Sequence, residues 1–240
     1  MLGLAAIIFT VLFFITAGYG RHSNGGWGPK INPRWGWFIM ECPTVIAFGI
    51  LFIVGDWKGV MRIAFSLIWL IHYAHRVFIY PFLIRSNQKM PFSIILMGFI
   101  FNLVNTYLQG RWLFTLSTES QYAPNWFLDP RFIIGLILFL FGFFLNKQSD
   151  FLLRNLRKPG ETDYKVPRGG AYRWVSCPNY LGEIIEWIGW AMATWSLAGL
   201  VFAVWTIANL VPRAWAHHKW YHEHFEDYPK NRRAIIPFLL

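Results

Sequence analysis

The sequence of 240 residues has little charge and little cysteine. Charged residues make up 14% of it, whereas 55% is hydrophobic and 20% is aromatic. An average soluble domain has roughly 25% charged residues, so this composition argues against an ordinary soluble domain. The two cysteines, Cys42 and Cys177, are too few and too far apart to form a disulfide framework, and no structural disulfide is expected.

Two familiar kinds of site also lack their sequence signatures. No GxGxxG motif follows a predicted strand, which excludes a dinucleotide-binding fold, so any nucleotide must bind in a helical cavity. His222 and His224, with Glu223 and Glu226, superficially suggest a metal site. An HxH pair on a helix points its ligands to different faces and no thiols accompany it, so no metal is predicted.

Long apolar runs are what the sequence has in abundance. Several approach the roughly 20 apolar residues that a helix needs to cross a bilayer. The pattern predicts an all-α, polytopic integral membrane protein with seven transmembrane helices. The first run has no basic residue before it, unlike a cleavable signal peptide. The runs cover residues 1–19, 37–54, 60–84, 91–108, 131–146, 183–196 and 198–212.

The basic residues predict the orientation of these helices. Seventeen of the 22 Lys and Arg residues fall in the loops near 20–36, 81–90 and 147–182 and in the C-terminal tail. Lys and Arg gather on the cytoplasmic side of membrane proteins. The N-terminus is therefore predicted outside and the C-terminus in the cytoplasm. Topology and anionic membrane lipid account for the net charge of +10, and nucleic acid is not needed as a partner.

Several polar side chains interrupt the second and third apolar runs. Glu41 lies near the start of one, and Tyr73, Arg76 and Tyr80 fall at i, i+3 and i+7 in the next, on one helical stripe. A single such residue usually helps helices associate, but several together indicate a functional site. Desolvation favours the neutral form of a carboxyl group. Glu41 is therefore expected to donate a proton and, with a tyrosine hydroxyl, to hydrogen-bond one carbonyl oxygen.

A second polar cluster brackets the longest loop. Asn146 and Asp150 are four residues apart, as are Asn179 and Glu183, so each pair shares a helix face. N-capping is an alternative role for Asn179, which follows Pro178. The loop interleaves arginines with tyrosines and glycines, which suits a ligand that carries phosphates and rings. Binding of lipid headgroups is the alternative role for this loop.

A third polar cluster extends the last apolar run. Arg213, His217 and Tyr221 recur at four-residue intervals and form one stripe on an extension of the last helix. Glu186, three residues after Glu183, either shares the face of Glu183 or pairs with a cation from another span.

Taken together, these segments resemble the steroid 5α-reductase family. The correspondence runs from about residue 38 to the end, with the family's signatures in order and at similar spacing. It implies a multi-span enzyme that uses NADPH to reduce the C4–C5 double bond of lipophilic 3-oxo-Δ4-steroids. The membrane is expected to be the bacterial inner membrane or the endoplasmic reticulum, and the sequence leaves both open. The segments are HYAHRVFIY, LRKPGETDYKVPRGG, NYLGEIIEWIGWAMATWSLAG and HHKWYHEHFEDYPKNRRAIIPF.

The resemblance also implies roles for individual residues. Glu41 and Tyr73 match the pair that holds the 3-oxo group of the substrate, and Arg76 and Tyr80 match residues that support that pocket. The positions that match the NADPH site are Arg85, Asn146, Asp150, Arg157, Tyr164, Asn179, Glu183, Arg213, His217 and Tyr221.

The organisation expected is a single integral reductase domain over residues 1–240. Residues 1–36 form the first span and loop, and 37–146 form the spans on the substrate side. Residues 147–182 form a cytosolic cofactor loop, and 183–240 form the last spans and the tail.

Two other classes of function stay open on the sequence alone. A membrane methyltransferase that uses S-adenosylmethionine also combines a few spans with a basic, aromatic C-terminal segment. A lipid carrier or transporter would also place polar groups along a path. Among reductases, the substrate could be another enone or enoyl lipid.

Overall fold

The part of the chain that is described is mostly helical. The computed structural model describes residues 1–15, 18, 27–56, 58–85, 88–156, 161 and 163–240. Short 3-10 turns occur at Ser120–Tyr122, Pro124–Leu128 and Gly170–Arg173, and two-residue strands are β1 (Lys30–Ile31) and β2 (Met90–Pro91). The helices are α1 (Leu2–Phe14), α2 (Pro33–Glu41), α3 (Pro43–Val54), α4 (Val60–Ala74), α5 (Tyr80–Leu83), α6 (Phe92–Arg111), α7 (Pro130–Asn155), α8 (Pro178–Thr194) and α9 (Leu197–His224), with π-helical segments at His75–Ile79 and Trp112–Leu116.

Five helical segments of the described residues are long and apolar enough to cross a membrane. The prediction of a mostly helical chain with several candidate membrane spans is thereby confirmed. Helix α1, with 13 residues, and α8, with 17, are shorter than these five, so the count of seven spans and the orientation stay predictions. The five segments are Pro33–Val54, Val60–Leu83, Phe92–Leu116, Pro130–Asn155 and Leu197–His224.

Several helix boundaries differ from those expected from hydropathy. Helix α7 continues beyond residue 146 to Asn155, and α8 begins at Pro178, so the connection between them is shorter than residues 147–182. Helix α9 continues to His224, which confirms the predicted extension of the last span. Hydropathy underestimates the lengths of these helices, because their ends carry polar side chains although the helical backbone hydrogen bonds continue.

Backbone contacts divide the chain into two compact units. One is Ala17–Ile133, called here the Glu41 unit, and the other is Met1–Thr16 with Ile134–Leu240, called the Asn146 unit. In the Glu41 unit, α6 packs against α2 and α3, and β1 pairs with β2 in an antiparallel ribbon. In the Asn146 unit, α9 packs against α8 and α1.

The helix that carries Tyr73 and Arg76 is not regular throughout. In the π-helical segment, the backbone N–H of Tyr80 bonds to the carbonyl oxygen of His75, five residues earlier. Pro81 explains this geometry, since it has no amide hydrogen and its ring would clash with the carbonyl of Val77 in a regular α-helix. Such π segments are frequent at functional sites. The regular spacing assumed for Tyr73, Arg76 and Tyr80 therefore does not continue through this segment.

Helices α7 and α8 approach each other at glycines. A Cβ atom on Gly142 would lie 2.4 Å from both the backbone N of Glu186 and the carbonyl O of Gly182. A Cβ atom on Gly189 would lie 2.4 Å from the backbone N of Phe139. Small residues allow such close approach of membrane helices, where packing drives association. This contact places the polar residues that follow Gly142 on α7 directly against α8.

We predict that Gly142→Ala destabilises the protein. The added methyl group has no space between α7 and α8, and overpacking of this kind costs about 1–3 kcal/mol. The measurement is the thermal unfolding midpoint of detergent-solubilised protein. Gly49→Ala is the matched control, because a Cβ atom on Gly49 meets nothing within 4 Å; equal midpoints for the two variants would contradict the packing described.

Candidate active site

Glu41 is held in a fixed orientation at the end of α2. Its side chain is buried, with 6% of the residue exposed. Arg76 Nε donates to Glu41 Oε1 at 3.0 Å, and Asn102 Nδ2 donates to Glu41 Oε2 at 3.1 Å. Asn102 Nδ2 also donates to the backbone carbonyl of Met40 at 2.8 Å. Both carboxylate oxygens therefore accept hydrogen bonds, and the structure brings Glu41 and Arg76 into contact.

Arg76 is itself fixed by two aromatic rings. Its guanidinium carbon lies 4.5 Å from the centroid of the Trp37 ring and 4.8 Å from that of Tyr80. These two rings meet edge to face, with centroids 5.3 Å apart. A guanidinium over aromatic faces gains cation–π energy, more so when it is desolvated. Arg76 and Tyr80 thus remain neighbours despite the π-helical segment between them.

Tyr73 lies in an aromatic layer of the same unit. It is 3% exposed, and its ring centroid lies 4.5 Å from that of Trp69 and 4.8 Å from that of His72. Trp69 is fixed in turn, because it stacks on Phe48 at 5.0 Å and its Nε1 donates to the Thr44 carbonyl at 2.9 Å. The position of the Tyr73 ring is therefore set by packing. A ligand shared between its hydroxyl and Glu41 remains a prediction.

Helix α6 supplies a polar stripe that sequence reasoning missed. Asn102 holds Glu41 from this helix, and Asn105 Oδ1 accepts a hydrogen bond from Gln109 Nε2 at 3.2 Å. Its polar residues recur at i, i+3, i+4 and i+7 within an apolar helix, and this spacing could have identified the stripe from the sequence. The stripe consists of Asn102, Asn105, Thr106 and Gln109, all of them less than 9% exposed.

In the Asn146 unit, the two predicted polar pairs meet. Asn146 Nδ2 donates to the backbone carbonyl of Asn179 at 3.0 Å, and Asn179 Nδ2 donates to Asp150 Oδ1 at 3.1 Å. Cys177 is the N-cap of α8, whereas Asn179 lies in the first turn and directs its amide to α7. The contact with Asp150, rather than capping, therefore accounts for this side chain. Glu183 follows one turn later on α8 and is half-buried.

Tyr180 connects the residues predicted on α9. Arg213 Nε donates to the Tyr180 hydroxyl at 3.2 Å, and His217 Nε2 lies 3.2 Å from the same oxygen. Arg213 and His217 are each 8% exposed. A buried guanidinium and imidazole on one phenol form a hydrogen-bonding group suited to anionic or polar ligand atoms. Sequence reasoning did not single out Tyr180, although it follows Asn179 directly.

The remaining predicted residues fall in different settings. Tyr221 is 2% exposed, and its ring stacks on Tyr228 with centroids 5.1 Å apart. The Tyr164 ring meets the Trp220 ring edge to face at 5.1 Å. Arg85 is exposed and belongs to the Glu41 unit. Arg157 lies outside the described residues. Glu186, whose role the sequence left open, is fully buried at the contact of α7 with α8.

A separate cavity of about 840 Å³ lies in the Glu41 unit, and no predicted site residue in the described part of the chain lines it. Arg62 borders this cavity and is 1% exposed. Its guanidinium donates to the Leu113 and Thr118 carbonyls, both at 2.8 Å, and to Ser117 Oγ at 3.2 Å. Arg62 therefore holds the segment that follows α6, which is a structural role.

The apolar helices and the buried ionic and phenolic groups define a polytopic helical membrane enzyme. The chain matches a sequence model of the family described as 3-oxo-5-alpha-steroid 4-dehydrogenase over residues 88–240. It is 43% identical to 3-oxo-5-alpha-steroid 4-dehydrogenase 1 of Bos taurus, over 99% of this chain and 93% of that protein.

Plant and human relatives are similarly close. The chain is 44% identical to steroid 5-alpha-reductase DET2 of Arabidopsis thaliana, over 95% of this chain and 90% of that protein. It is also 44% identical to 3-oxo-5-alpha-steroid 4-dehydrogenase 1 of Homo sapiens, over 92% of this chain and 85% of that protein. The chain belongs to the 3-oxo-5-alpha-steroid 4-dehydrogenase, or steroid 5-alpha-reductase, family of oxidoreductases, which confirms the resemblance drawn from its sequence.

We predict that Arg76→Leu destabilises the protein strongly, because it leaves the Glu41 carboxylate buried without its cation. Breaking a buried ion pair in this way costs about 3–5 kcal/mol, which corresponds to roughly 10 °C in the thermal unfolding midpoint of a chain of this size. The exposed Arg34 provides the control variant Arg34→Leu.

A double variant separates loss of the ion pair from loss of packing. Glu41→Leu combined with Arg76→Leu removes both charges, so it is expected to unfold at a higher temperature than Arg76→Leu alone. If the double variant has an unfolding midpoint equal to or lower than that of Arg76→Leu, the unpaired carboxylate is not the cause of the destabilisation.

Proposed function

We propose that this chain uses NADPH to reduce the C4–C5 double bond of a 3-oxo-Δ4-steroid. The observation that carries the proposal is the buried arrangement of Glu41, Arg76 and Asn102, a polar site inside an apolar helical unit. The relatives named 3-oxo-5-alpha-steroid 4-dehydrogenase support the class of substrate. The apolar side chains of this unit suit a lipophilic steroid, and the buried polar group at Glu41 suits the oxygen of its ketone.

In this proposal Glu41 and Tyr73 hold the 3-oxo group. Addition of hydride to C5 moves the electron pair of the double bond toward C3 and develops negative charge on the ketone oxygen. Hydrogen-bond donors aimed at that oxygen lower the barrier. In the structure Glu41 is paired with Arg76 as a carboxylate, so in this proposal it takes up a proton when the steroid binds. Protonated Glu41 and the Tyr73 hydroxyl are then these donors. Tyr73 or a water molecule then delivers a proton to C4, which completes the reduction.

Arg76 and Tyr80 support this pocket rather than react. The Arg76 guanidinium, held by the Trp37 and Tyr80 rings, orients the Glu41 carboxyl group and neutralises it whenever it is ionised. Asn102 fixes the second oxygen from α6. These contacts hold the catalytic geometry before substrate binds, which is what electrostatic stabilisation of a transition state requires.

The polar groups of the Asn146 unit fit a nicotinamide dinucleotide phosphate. The buried Arg213 and His217, joined by Tyr180, suit phosphate or ribose oxygens. The amides and carboxylates of α7 and α8 suit a carboxamide and ribose hydroxyls. When bound, NADPH supplies the hydride from C4 of its nicotinamide. The proposed cofactor residues of this unit are Asn146, Asp150, Arg157, Tyr164, Asn179, Glu183, Arg213, His217 and Tyr221. Arg85, which the resemblance also implies, belongs to the Glu41 unit.

The proposed topology has seven spans in one integral domain of residues 1–240. Helices α1 and α8 would be the two additional spans, and the C-terminus would lie in the cytoplasm. This orientation is supported by the concentration of Lys and Arg in alternate connections. It puts the connection between α7 and α8 on the side where NADPH is found, in a bacterial inner membrane or the endoplasmic reticulum.

We predict that Glu41→Gln and Tyr73→Phe each lower kcat for a 3-oxo-Δ4-steroid by about 100-fold or more, the cost of removing one such donor. The NADPH dissociation constant should change little, because neither residue belongs to the proposed cofactor set. The measurements are NADPH oxidation with purified protein and equilibrium binding of NADPH. Tyr107→Phe, on an exposed position of α6, is the control and should retain activity.

Two results would contradict the proposed reaction. One is turnover in Glu41→Gln or Tyr73→Phe at the level of the unsubstituted protein. The other is a protein that binds S-adenosylmethionine and ignores NADPH, which would indicate a methyltransferase. A panel of 3-oxo-Δ4-steroids and enoyl lipids, analysed by mass spectrometry of the products, identifies the preferred substrate.

We predict that a cysteine at position 165 faces the cytoplasm and one at 118 faces the opposite side. The variants Lys165→Cys and Thr118→Cys, made in an active Cys42→Ser/Cys177→Ser background, are treated with a membrane-impermeant maleimide in sealed inside-out and right-side-out vesicles. Each should be labelled in one vesicle type only, and the types should differ. Labelling of both from the same side would contradict the topology.

A further inference from the structure

The hydroxyl of Ser176 is the centre of a buried hydrogen-bonding group in the Asn146 unit. Ser176 lies two residues before α8 and is 3% exposed. Its Oγ is 2.6 Å from His218 Nδ1, 2.7 Å from the Tyr228 hydroxyl and 3.1 Å from the Arg233 carbonyl oxygen. Ser176, His218 and Tyr228 are called here the Ser176 hub.

The three contacts fix the donors and acceptors of the hub. A serine hydroxyl has one hydrogen to donate and two lone pairs to accept with. The Arg233 carbonyl can only accept. Burial raises the pKa of Tyr228, so this phenol keeps its hydrogen. Only one assignment satisfies all three contacts: Ser176 donates to Arg233, and both Tyr228 O–H and His218 Nδ1–H donate to Ser176.

The hub lies over a backbone pairing between distant parts of the chain. Ser176 N–H donates to the Arg233 carbonyl at 2.7 Å, Cys177 N–H to the Ala234 carbonyl at 3.1 Å, and Arg233 N–H to the Trp174 carbonyl at 2.9 Å. The residues just before α8 are thus joined to the segment that follows α9. The Ser176 side chain adds His218 of α9 to the same junction.

A neighbouring arginine reinforces this junction. Arg232 is 3% exposed. Its guanidinium lies over the Tyr228 ring, 4.8 Å from the centroid, and its Nη2 donates to the Pro167 carbonyl at 3.1 Å. The Tyr228 ring is therefore held by Arg232 while its hydroxyl bonds to Ser176. The segment before α8 is fixed at both Pro167 and Ser176.

The hub contacts or adjoins three of the proposed cofactor residues. Asn179 follows Ser176 by three residues, in the first turn of α8. Tyr221 stacks on the ring of Tyr228, with an interplanar angle of 7°. His217 is adjacent to His218 on α9. Movement of the hub would therefore displace proposed cofactor residues on both helices.

We propose that the Ser176 hub is a positioning device that holds the start of α8 and the end of α9 in the geometry that binds the cofactor. This inference rests on the proposed function, in which Asn179, His217 and Tyr221 bind NADPH. The hub residues themselves are positioning residues and take no part in the chemical step. Breaking one hub hydrogen bond weakens cofactor binding while the steroid pocket is left as it is.

The test uses Tyr228→Phe and Ser176→Ala in the full chain. Tyr228→Phe keeps the ring that contacts Tyr221 and Arg232 and removes only the hydroxyl, and Ser176→Ala keeps the backbone pairing. Each is expected to raise the NADPH dissociation constant about tenfold, as for loss of a buried hydrogen bond that leaves its partners unsatisfied. The steroid KM should change less than about twofold. Because both variants break the same hub, the double variant should bind NADPH about as weakly as either single one.

The control separates positioning from general loss of stability. Tyr122 is a buried tyrosine of the Glu41 unit whose hydroxyl accepts a hydrogen bond from Trp112 Nε1 at 2.8 Å. Tyr122→Phe should lower the thermal unfolding midpoint but leave the NADPH dissociation constant unchanged. Isothermal titration calorimetry on detergent-solubilised protein gives the constant directly.

Asn179→Ala, measured in parallel, distinguishes failure of this inference from failure of the proposed function. If Asn179→Ala weakens NADPH binding while both hub variants bind NADPH normally, the positioning role is overturned and the cofactor site stands. The positioning role would also be overturned if the hub variants raised the NADPH dissociation constant and the steroid KM by the same factor. If Asn179→Ala binds NADPH normally, the proposed cofactor role of α8 fails and the hub's role fails with it.

Discussion

A carboxyl group buried in an apolar helical unit has to be paired, and the pairing of Glu41 with Arg76 is the constraint on which the proposed substrate site depends. The ion pair at 3.0 Å would be insufficient by itself, because desolvation of both charges offsets much of their attraction. Additional contacts satisfy the remaining groups: Asn102 bonds to the second oxygen, and the Trp37 and Tyr80 rings enclose the guanidinium. A site built in this way is ordered before a ligand arrives.

A different constraint organises the Asn146 unit. There the backbones of α7 and α8 come so close that a single methyl group on Gly142 would clash. This approach brings Asn146 within hydrogen-bonding distance of the Asn179 carbonyl and lets the Asn179 amide reach Asp150. Small residues on the helix faces thus determine where the polar residues of the proposed cofactor site lie. The glycines that allow the close approach and the polar residues that form the hydrogen bonds thus occupy neighbouring positions on α7 and α8.

The sequence predicted the parts of this arrangement that depend on local periodicity. Hydropathy identified the apolar helices, and four-residue spacing identified the pairs Asn146–Asp150 and Asn179–Glu183. Periodicity did not predict the π-helical segment before Pro81, because the composition of that segment resembles that of a regular helix. The roles of Trp37, Asn102 and Ser176 were also missed. Each depends on partners far away in the sequence; the Ser176 contacts join residues 42 to 57 positions apart, and periodicity carries no information about such pairs.

The central claim is that a nicotinamide delivers hydride to the β carbon of an enone whose oxygen is held by Glu41 and Tyr73. The most direct measurement is incubation of the purified protein with a 3-oxo-Δ4-steroid and NADPH deuterated at C4 of the nicotinamide, in each of its two configurations. The account predicts that one configuration transfers one deuterium to C5 of the product, as located by mass spectrometry and NMR. Reduced products that carry no deuterium at C5 with both configurations would contradict it.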